Sequence, residues 1–131
     1  MPTKPLIAIV DDDEAVRLAV RSLMRSVGLA AQVFSSAADF LGSADMARVA
    51  CVILDITMPG MGGLALHRQL ITSGYANPTI FITARPDDGT RAEALRQGAL
   101  CYLRKPFAED DLLGWVNVAL GRPGAAGAKS P

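Results

Sequence analysis

The six apolar residues Val49–Leu54, which read VACVIL, lead directly into Asp55. A continuous apolar run without alternation is typical of a strand that is buried on both faces, as in a parallel sheet. Four other short runs, most of them continuously apolar, occur elsewhere in the chain, and they are Leu6–Val10, Ala31–Phe34, Thr79–Thr83 and Leu100–Leu103. The sequence therefore predicts five buried strands.

Segments with helical periodicity alternate with these runs. They are Glu14–Val27, Ala37–Leu41, Leu64–Ser73, Asp87–Gln97 and Glu109–Leu120. The apolar face of the first segment consists of Val16, Val20, Leu23, Met24 and Val27. Five strand–helix units in succession predict an α/β fold, with a parallel sheet and helices on both of its faces. Functional groups in such folds gather beyond the carboxyl ends of the strands.

Length, composition and charge narrow the possible function classes. The chain has 131 residues, which suits one domain, and a net charge of zero, which argues against a basic nucleic-acid-binding surface. Its apolar stretches are too short to cross a bilayer, so we expect no membrane contact and a cytoplasmic location. We expect one domain over residues 1–120. The Gly/Ala/Pro/Ser-rich residues 121–131 are typical of a linker or tail, either a cut linker or a natural end.

The cysteines and the histidine give little sign of chemistry. Cys51 and Cys101 lie in apolar runs without metal-ligand spacing, and we predict that they are small buried side chains. A multi-histidine metal site is excluded because the chain has one histidine, His67. We predict that His67 is a solvated residue of its helix.

Polar side chains stand just beyond four of the predicted strands. Strand one leads into Asp11, Asp12 and Asp13, strand three into Asp55, strand four ends at Thr83, and strand five leads into Lys105 and Pro106. Clustered carboxylates repel each other, and a hard cation such as Mg²⁺, which prefers oxygen ligands, can neutralise them. A free carboxylate can attack phosphorus, a lysine can pair with the added phosphoryl group and a hydroxyl can donate to it. This set of groups suits phosphoryl transfer to an aspartate.

Four stretches in this order resemble the receiver domains of bacterial two-component systems. They are IVDDDEAVR (residues 9–17), VILDITMPGMGG (52–63), FITA (81–84) and LRKPF (103–107). The resemblance extends from about Leu6 to Leu120 and is closest to receivers of regulators that carry a helix-turn-helix output domain. It implies a flavodoxin-like doubly wound (βα)5 fold with a five-stranded parallel sheet in the order 2-1-3-4-5.

The resemblance also implies a role for each matching residue. Asp55 would be the phosphoacceptor. A Mg²⁺ ion, or Mn²⁺, would be held by Asp11, Asp12, Asp55 and the backbone carbonyl of Thr57, with Asp12 the more direct ligand of the acidic pair. Thr83 and Lys105 would bind the phosphoryl group. Tyr102 would turn inward with Thr83 on activation, and Pro106 would follow a cis peptide that aims Lys105.

The same resemblance implies the partners. A sensor histidine kinase would donate the phosphoryl group, and the domain would catalyse its own phosphorylation and dephosphorylation without being a turnover enzyme. Phosphorylation would change the face formed by the fourth helix, fifth strand and fifth helix. That face would control homodimerisation or an output domain in transcriptional regulation, and DNA would be contacted only through an output domain.

Alternative interpretations exist for the single residues and for the whole chain. Asp13 fits a helix N-cap, Asp55 could be a turn residue, and Thr83 and Tyr102 could be ordinary strand residues. A flavin-binding module on the same fold is disfavoured because three aspartates would repel a phosphate after strand one. A phosphohydrolase would need a second acid where Thr57 stands. A docking module without chemistry would not need this set of polar residues.

Overall fold

The computed structural model describes residues 5–121, which form five strands and five helices in strict alternation. The strands are β1 (Leu6–Val10), β2 (Ala30–Phe34), β3 (Val49–Asp55), β4 (Thr79–Thr83) and β5 (Cys101–Arg104). The helices are α1 (Glu14–Ser26), α2 (Ala37–Ser43), α3 (Gly63–Thr72), α4 (Asp88–Arg96) and α5 (Glu109–Ala119). All strands are parallel, in the order β2-β1-β3-β4-β5. The predicted fold class and strand order are confirmed.

Two apolar layers cover the sheet, one on each face. Because side chains alternate along a strand, Ile7 and Ile9 of β1 pack with the α1 and α5 layer, whereas Ala8 and Val10 pack with α2, α3 and α4. Cys51 lies buried in the first of these layers together with Cys101, as predicted. The sheet is thus buried on both faces, and its carboxyl edge is the place where polar side chains can collect.

The predicted element bounds differ from the observed ones by no more than two residues. The prediction that Val27 belongs to the apolar face of α1 was wrong. Val27 is 47% exposed because α1 ends at Ser26 and Val27 is its C-cap, with a backbone that turns away into Gly28 at a φ of 81°. Among the described helices, none combines the length and apolar content that a membrane crossing requires. The predicted linker or tail at residues 121–131 lies outside the described part of the chain, apart from Gly121.

The prediction that His67 is solvated was also wrong. Its side chain is buried, and its ring packs edge-on against Phe81 of β4 with 5.2 Å between the ring centroids. Nδ1 of His67 lies 3.0 Å from Oε1 of Gln97, whose Nε2 donates to Glu93. The amide of Gln97 is oriented by that carboxylate, so Nδ1 of His67 is the donor. The imidazole therefore connects α3 to the end of α4 from within the core.

Candidate functional site

Four side chains meet at the carboxyl edge of the sheet, where β1, β3, β4 and β5 end. Asp11 directly follows β1, Asp55 is the last residue of β3, Thr83 is the last residue of β4, and Lys105 directly follows β5. Carboxylate oxygens of Asp11, Asp12 and Asp55 lie within 4.8 Å of one another. Asp11 and Asp55 are buried and Asp12 is exposed. The parallel topology thus brings together residues that are up to 94 positions apart, from Asp11 to Lys105.

Asp11 makes three hydrogen bonds and one ion pair. Its N–H donates to the carbonyl of Phe34, and its carbonyl accepts from Nη1 of Arg17 at 2.9 Å. Oδ1 accepts from the N–H of Asp13 at 2.9 Å, and Oδ2 lies 2.8 Å from Nζ of Lys105. The carboxylate of Asp11 is therefore buried beside Lys105, whereas Asp12 is exposed.

Asp13 has the capping role that the sequence indicated. Its Oδ1 accepts from the N–H of Ala15 at 2.9 Å at the first turn of α1. This bond satisfies one of the helix's otherwise unpaired N–H groups. Asp13 thus fixes the start of α1 directly after the two aspartates of the cluster.

The carboxyl group of Asp55 is in an unfavourable place for a negative charge. Burial, together with the charge of Asp11, raises its pKa to about 7, although Lys105 and the N–H of Thr57 act in the opposite direction. Oδ2 lies 3.6 Å from Nζ of Lys105, and Oδ1 accepts from Thr57 at 3.1 Å. For Lys105, burial alone would lower the pKa, but the contacts with Asp11 and Asp55 raise it. An added cation would relieve the repulsion between the carboxylates.

Lys105 reaches both buried carboxylates from a fixed turn of the chain. Its backbone N–H donates to the carbonyl of Thr83 at 2.7 Å, and its peptide bond to Pro106 is cis, as expected. Its side chain is 16% exposed, so the ammonium group lies largely inside the cluster. Lys105 thus places a positive charge beside both buried carboxylates.

Thr83 and Tyr102 lie on neighbouring strands, and their hydroxyl groups have different partners. Thr83 is fully buried at the end of β4, and its hydroxyl oxygen accepts from the N–H of Arg85 at 3.0 Å. Tyr102 is half-buried on the edge strand β5, and its hydroxyl accepts from the N–H of Asp87, the N-cap of α4, at 3.1 Å. Thr83 is therefore at the acidic edge, whereas the Tyr102 hydroxyl is at the start of α4.

Sequence reasoning missed two residues that shape the site. A Cβ atom added to Gly63 would lie 2.3 Å from the carbonyl oxygen of Asp55, so α3 can begin this close to β3 only with glycine there. The glycine pair 62–63 after Pro59 was a usable signal. Arg17, which binds the carbonyl of Asp11, gave no signal, because an arginine in an amphipathic helix is ordinary.

The donor set fits a hard divalent cation. It consists of oxygen atoms from carboxylates, two of them buried, with one exposed carboxylate, that of Asp12, at the opening. Mg²⁺ is typically bound through one or two carboxylates and keeps several water molecules. Thr57, whose N–H binds Asp55, is exposed beside the cluster, and the part of its carbonyl in the cation shell stays a prediction.

Comparisons with known proteins agree with this geometry. The profile of the response regulator receiver domain matches residues 7–117. The response regulator protein TmoT of Ectopseudomonas mendocina is 44% identical over 115 residues, 88% of this chain and 52% of that protein. The transcriptional regulatory protein FixJ of Azorhizobium caulinodans is 35% identical over 127 residues, 97% of this chain and 60% of that protein.

A solved structure supports the same assignment over its whole length. The response regulator receiver protein from Burkholderia phymatum is 47% identical, with a TM-score of 0.79 over 91% of this chain and 97% of that one. The chain spans about half the length of the curated relatives that it matches first. The chain therefore belongs to the family of response-regulator receiver domains, the signalling domains of two-component systems.

Proposed function

We propose that this chain is a phosphorylation-dependent switch whose phosphoacceptor is Asp55. One observation carries the proposal: a buried carboxylate at the end of β3 lies between a second buried carboxylate, Asp11, and the ammonium group of Lys105. A purely structural aspartate gains nothing from a buried like-charged neighbour. An acceptor gains from it, because the surrounding groups are already arranged to bind a phosphoryl group and its counter-ion.

The reaction requires few groups. A carboxylate oxygen of Asp55 forms a bond to the phosphorus of a phosphohistidine, the phosphorus–nitrogen bond breaks, and the electron pair stays on the leaving imidazole. Lys105 pairs with the phosphoryl oxygens as a point charge, and the accepted bond from Arg85 leaves the hydroxyl proton of Thr83 available to donate to them. Positioning and electrostatics are the usual means of catalysing phosphoryl transfer.

Mg²⁺, or Mn²⁺, is the cofactor of this proposal. Bound by Asp12, Asp55, Asp11 and the carbonyl of Thr57, it would supply positive charge that favours ionised Asp55 and offsets the charge of the phosphoryl oxygens. Without such charge, burial holds the pKa of Asp55 near 7. Phosphorylation should therefore depend on the cation.

The proposed output runs through α4, β5 and α5. When Thr83 donates to the phosphoryl group, the loop from Thr83 to Asp87 moves with it. At the far end of that loop, the N–H of Asp87 donates to the hydroxyl of Tyr102. Once the loop shifts away from this bond, the side chain of Tyr102 would be free to turn inward. The altered face would then favour a second copy of the domain or an output domain.

The partners follow from the same proposal. A sensor histidine kinase supplies the phosphoryl group, and we place the exchange in the cytoplasm, where the kinase obtains ATP. Residues 1–120 would be the receiver domain and 121–131 a linker or tail. Because relatives such as FixJ, of which the match covers 60%, are transcriptional regulatory proteins, the proposed output is transcriptional, with DNA contacted only by an output domain.

Intact-mass measurement tests this function. The protein is incubated with acetyl phosphate and Mg²⁺, beside Asp55→Asn and beside Asp13→Asn, a matched control that keeps a good N-cap. We expect the parent and Asp13→Asn to gain one phosphoryl group, and Asp55→Asn or a sample with excess chelator to gain none. A parent that gains nothing from acetyl phosphate or from a histidine kinase, or an Asp55→Asn variant that gains as much as the parent, refutes the proposal.

A further inference from the structure

The side chain of Arg17 reaches back across the first turn of α1 to the acidic loop. Its Nη1 donates to the carbonyl oxygen of Asp11 at 2.9 Å, in a partly buried position six residues away along the chain. Long side chains on a helix lean toward its N-terminus, which makes this reach possible. The guanidinium group of Arg17 is not stabilised by the positive end of the α1 dipole. The contact is therefore explained by its hydrogen bond to the carbonyl of Asp11 in the acidic loop.

The bond acts on the peptide group that joins Asp11 to Asp12. A peptide unit is planar, so fixing the carbonyl of Asp11 also fixes the N–H and Cα of Asp12. The N–H of Asp11 is bonded to Phe34 and its carboxylate to Asp13 and Lys105. Arg17 therefore binds the Asp11–Asp12 peptide group itself, in addition to the bond from the N–H of Asp13 to the carboxylate of Asp11.

We propose that Arg17 is a positioning residue for the cation site. It holds the Asp11–Asp12 peptide so that the first carboxylate faces Lys105 and the second stays close to Asp55. This inference rests on the proposed function in so far as that function needs a divalent cation. It concerns cation affinity and not phosphoryl transfer itself.

Charge and positioning predict opposite signs for the loss of Arg17. Removing a positive charge beside three carboxylates should by Coulomb attraction alone tighten the binding of a divalent cation. Removing a bond that orients a ligand should weaken it, by roughly 10-fold for groups that hold metal ligands in place. The direction of the change therefore separates the two roles.

The experiment measures Mn²⁺ binding to the full chain by electron paramagnetic resonance of the free ion, with Mg²⁺ as competitor. Arg17→Met is compared with the parent and with Arg21→Met, which removes the same charge one turn further along α1. We expect the dissociation constant for Mn²⁺ to rise roughly 10-fold in Arg17→Met and to change little in Arg21→Met. Without metal, hydrogen exchange at the N–H of Asp13, which bonds to Asp11, should become faster only in Arg17→Met.

An unchanged or lower dissociation constant in Arg17→Met overturns the inference, whatever the phosphorylation result. Weaker Mn²⁺ binding in a protein that never gains phosphate supports the inference while the proposed function fails. If Arg17→Met does not fold, Arg17→Lys takes its place, since it keeps the charge and loses the guanidinium fork. Weaker binding in Arg17→Lys supports positioning, and an affinity equal to that of the parent overturns it.

Discussion

Replacing Lys105 by methionine should lower the free energy of unfolding by about 3 kcal/mol at pH 8 in protein freed of metal, because a buried charge pair loses its cation. Methionine keeps most of the apolar stem but not the charge. Nζ of Lys105 lies 2.8 Å from Asp11 and 3.6 Å from Asp55, and both carboxylates are buried. The variant leaves these carboxylates facing each other.

The magnitude follows from these distances. At an effective dielectric constant of about 20, the two attractions are worth about 6 and about 5 kcal/mol before the cost of desolvating the ammonium group is subtracted. Breaking a buried pair typically costs about 3–5 kcal/mol. Asp55 limits the loss because its pKa is about 7 with Lys105 present and must rise further without it. Protonation of Asp55 therefore relieves part of the repulsion in the variant, so we expect the lower end of the range.

The loss of stability in Lys105→Met should grow as pH rises. The pKa of Asp55 is raised in the folded state from 3.8 to about 7, so its contribution to stability is present at low pH and is lost as pH rises through about 7. In Lys105→Met the folded pKa is higher still, and that loss continues at higher pH. Because Lys105 also pairs with Asp11, part of the loss remains at pH 5, and the difference between parent and variant should be smaller at pH 5 than at pH 8.

Urea denaturation followed by the fluorescence of Trp115, the single tryptophan, measures the loss of stability and its dependence on pH. Arg104→Met is the matched control, since it removes an exposed positive charge from the neighbouring residue and should change stability by less than about 0.5 kcal/mol. A double-mutant cycle with Asp11→Asn isolates the pair. A loss for Lys105→Met below about 1 kcal/mol at pH 8, or one larger at pH 5 than at pH 8, would refute the electrostatic reasoning.

Three further outcomes follow from burial and close contact. Gly63→Ala should lower the free energy of unfolding by about 2–3 kcal/mol in urea titrations, because its Cβ would lie 2.3 Å from the carbonyl oxygen of Asp55. Gly42→Ala in α2, where a Cβ meets nothing within 4 Å, should instead stabilise by about 0.5–1 kcal/mol, and equal losses in both variants would contradict this contrast. Burial raises the pKa of the Cys51 and Cys101 thiols to about 12, so iodoacetamide should label them at pH 8 only after denaturation. Rapid labelling of the native protein, measured by intact mass, would show that these thiols are accessible.

The fold and the composition of the site could be predicted because both depend on short-range patterns. Runs such as Val49–Leu54 are apolar throughout, which is typical of a strand that is buried on both faces. Parallel topology then places every strand's carboxyl end at one edge, and the strand order that the resemblance implied makes Asp55, Thr83 and Lys105 neighbours there. The predicted roles of these residues in phosphoryl transfer stay predictions.

The errors and omissions have a different cause, since they depend on where one side chain points in three dimensions. The prediction for His67 was wrong because it was based on the polar residue type and not on the position in the helix. His67 lies on the buried face of α3, with Gly63, Leu66 and Leu70. The contact of Arg17 with the acidic loop depends on the reach of a long side chain that helical periodicity assigns to the surface. Spacing along the chain reports which face a residue occupies, and not which backbone atom it reaches.

Lys105 links the resting arrangement to the proposed switch. In this state its ammonium group lies closer to Asp11, at 2.8 Å, than to Asp55, at 3.6 Å. A phosphoryl group on Asp55 would bring about two negative charges and compete for the same ammonium group. Asp11 is buried, and its hydrogen bonds involve atoms other than Oδ2. Oδ2 would then lose much of its attraction to the ammonium group of Lys105. A divalent cation would offset that loss, so cation binding and phosphorylation should strengthen each other by the same factor, as linkage requires.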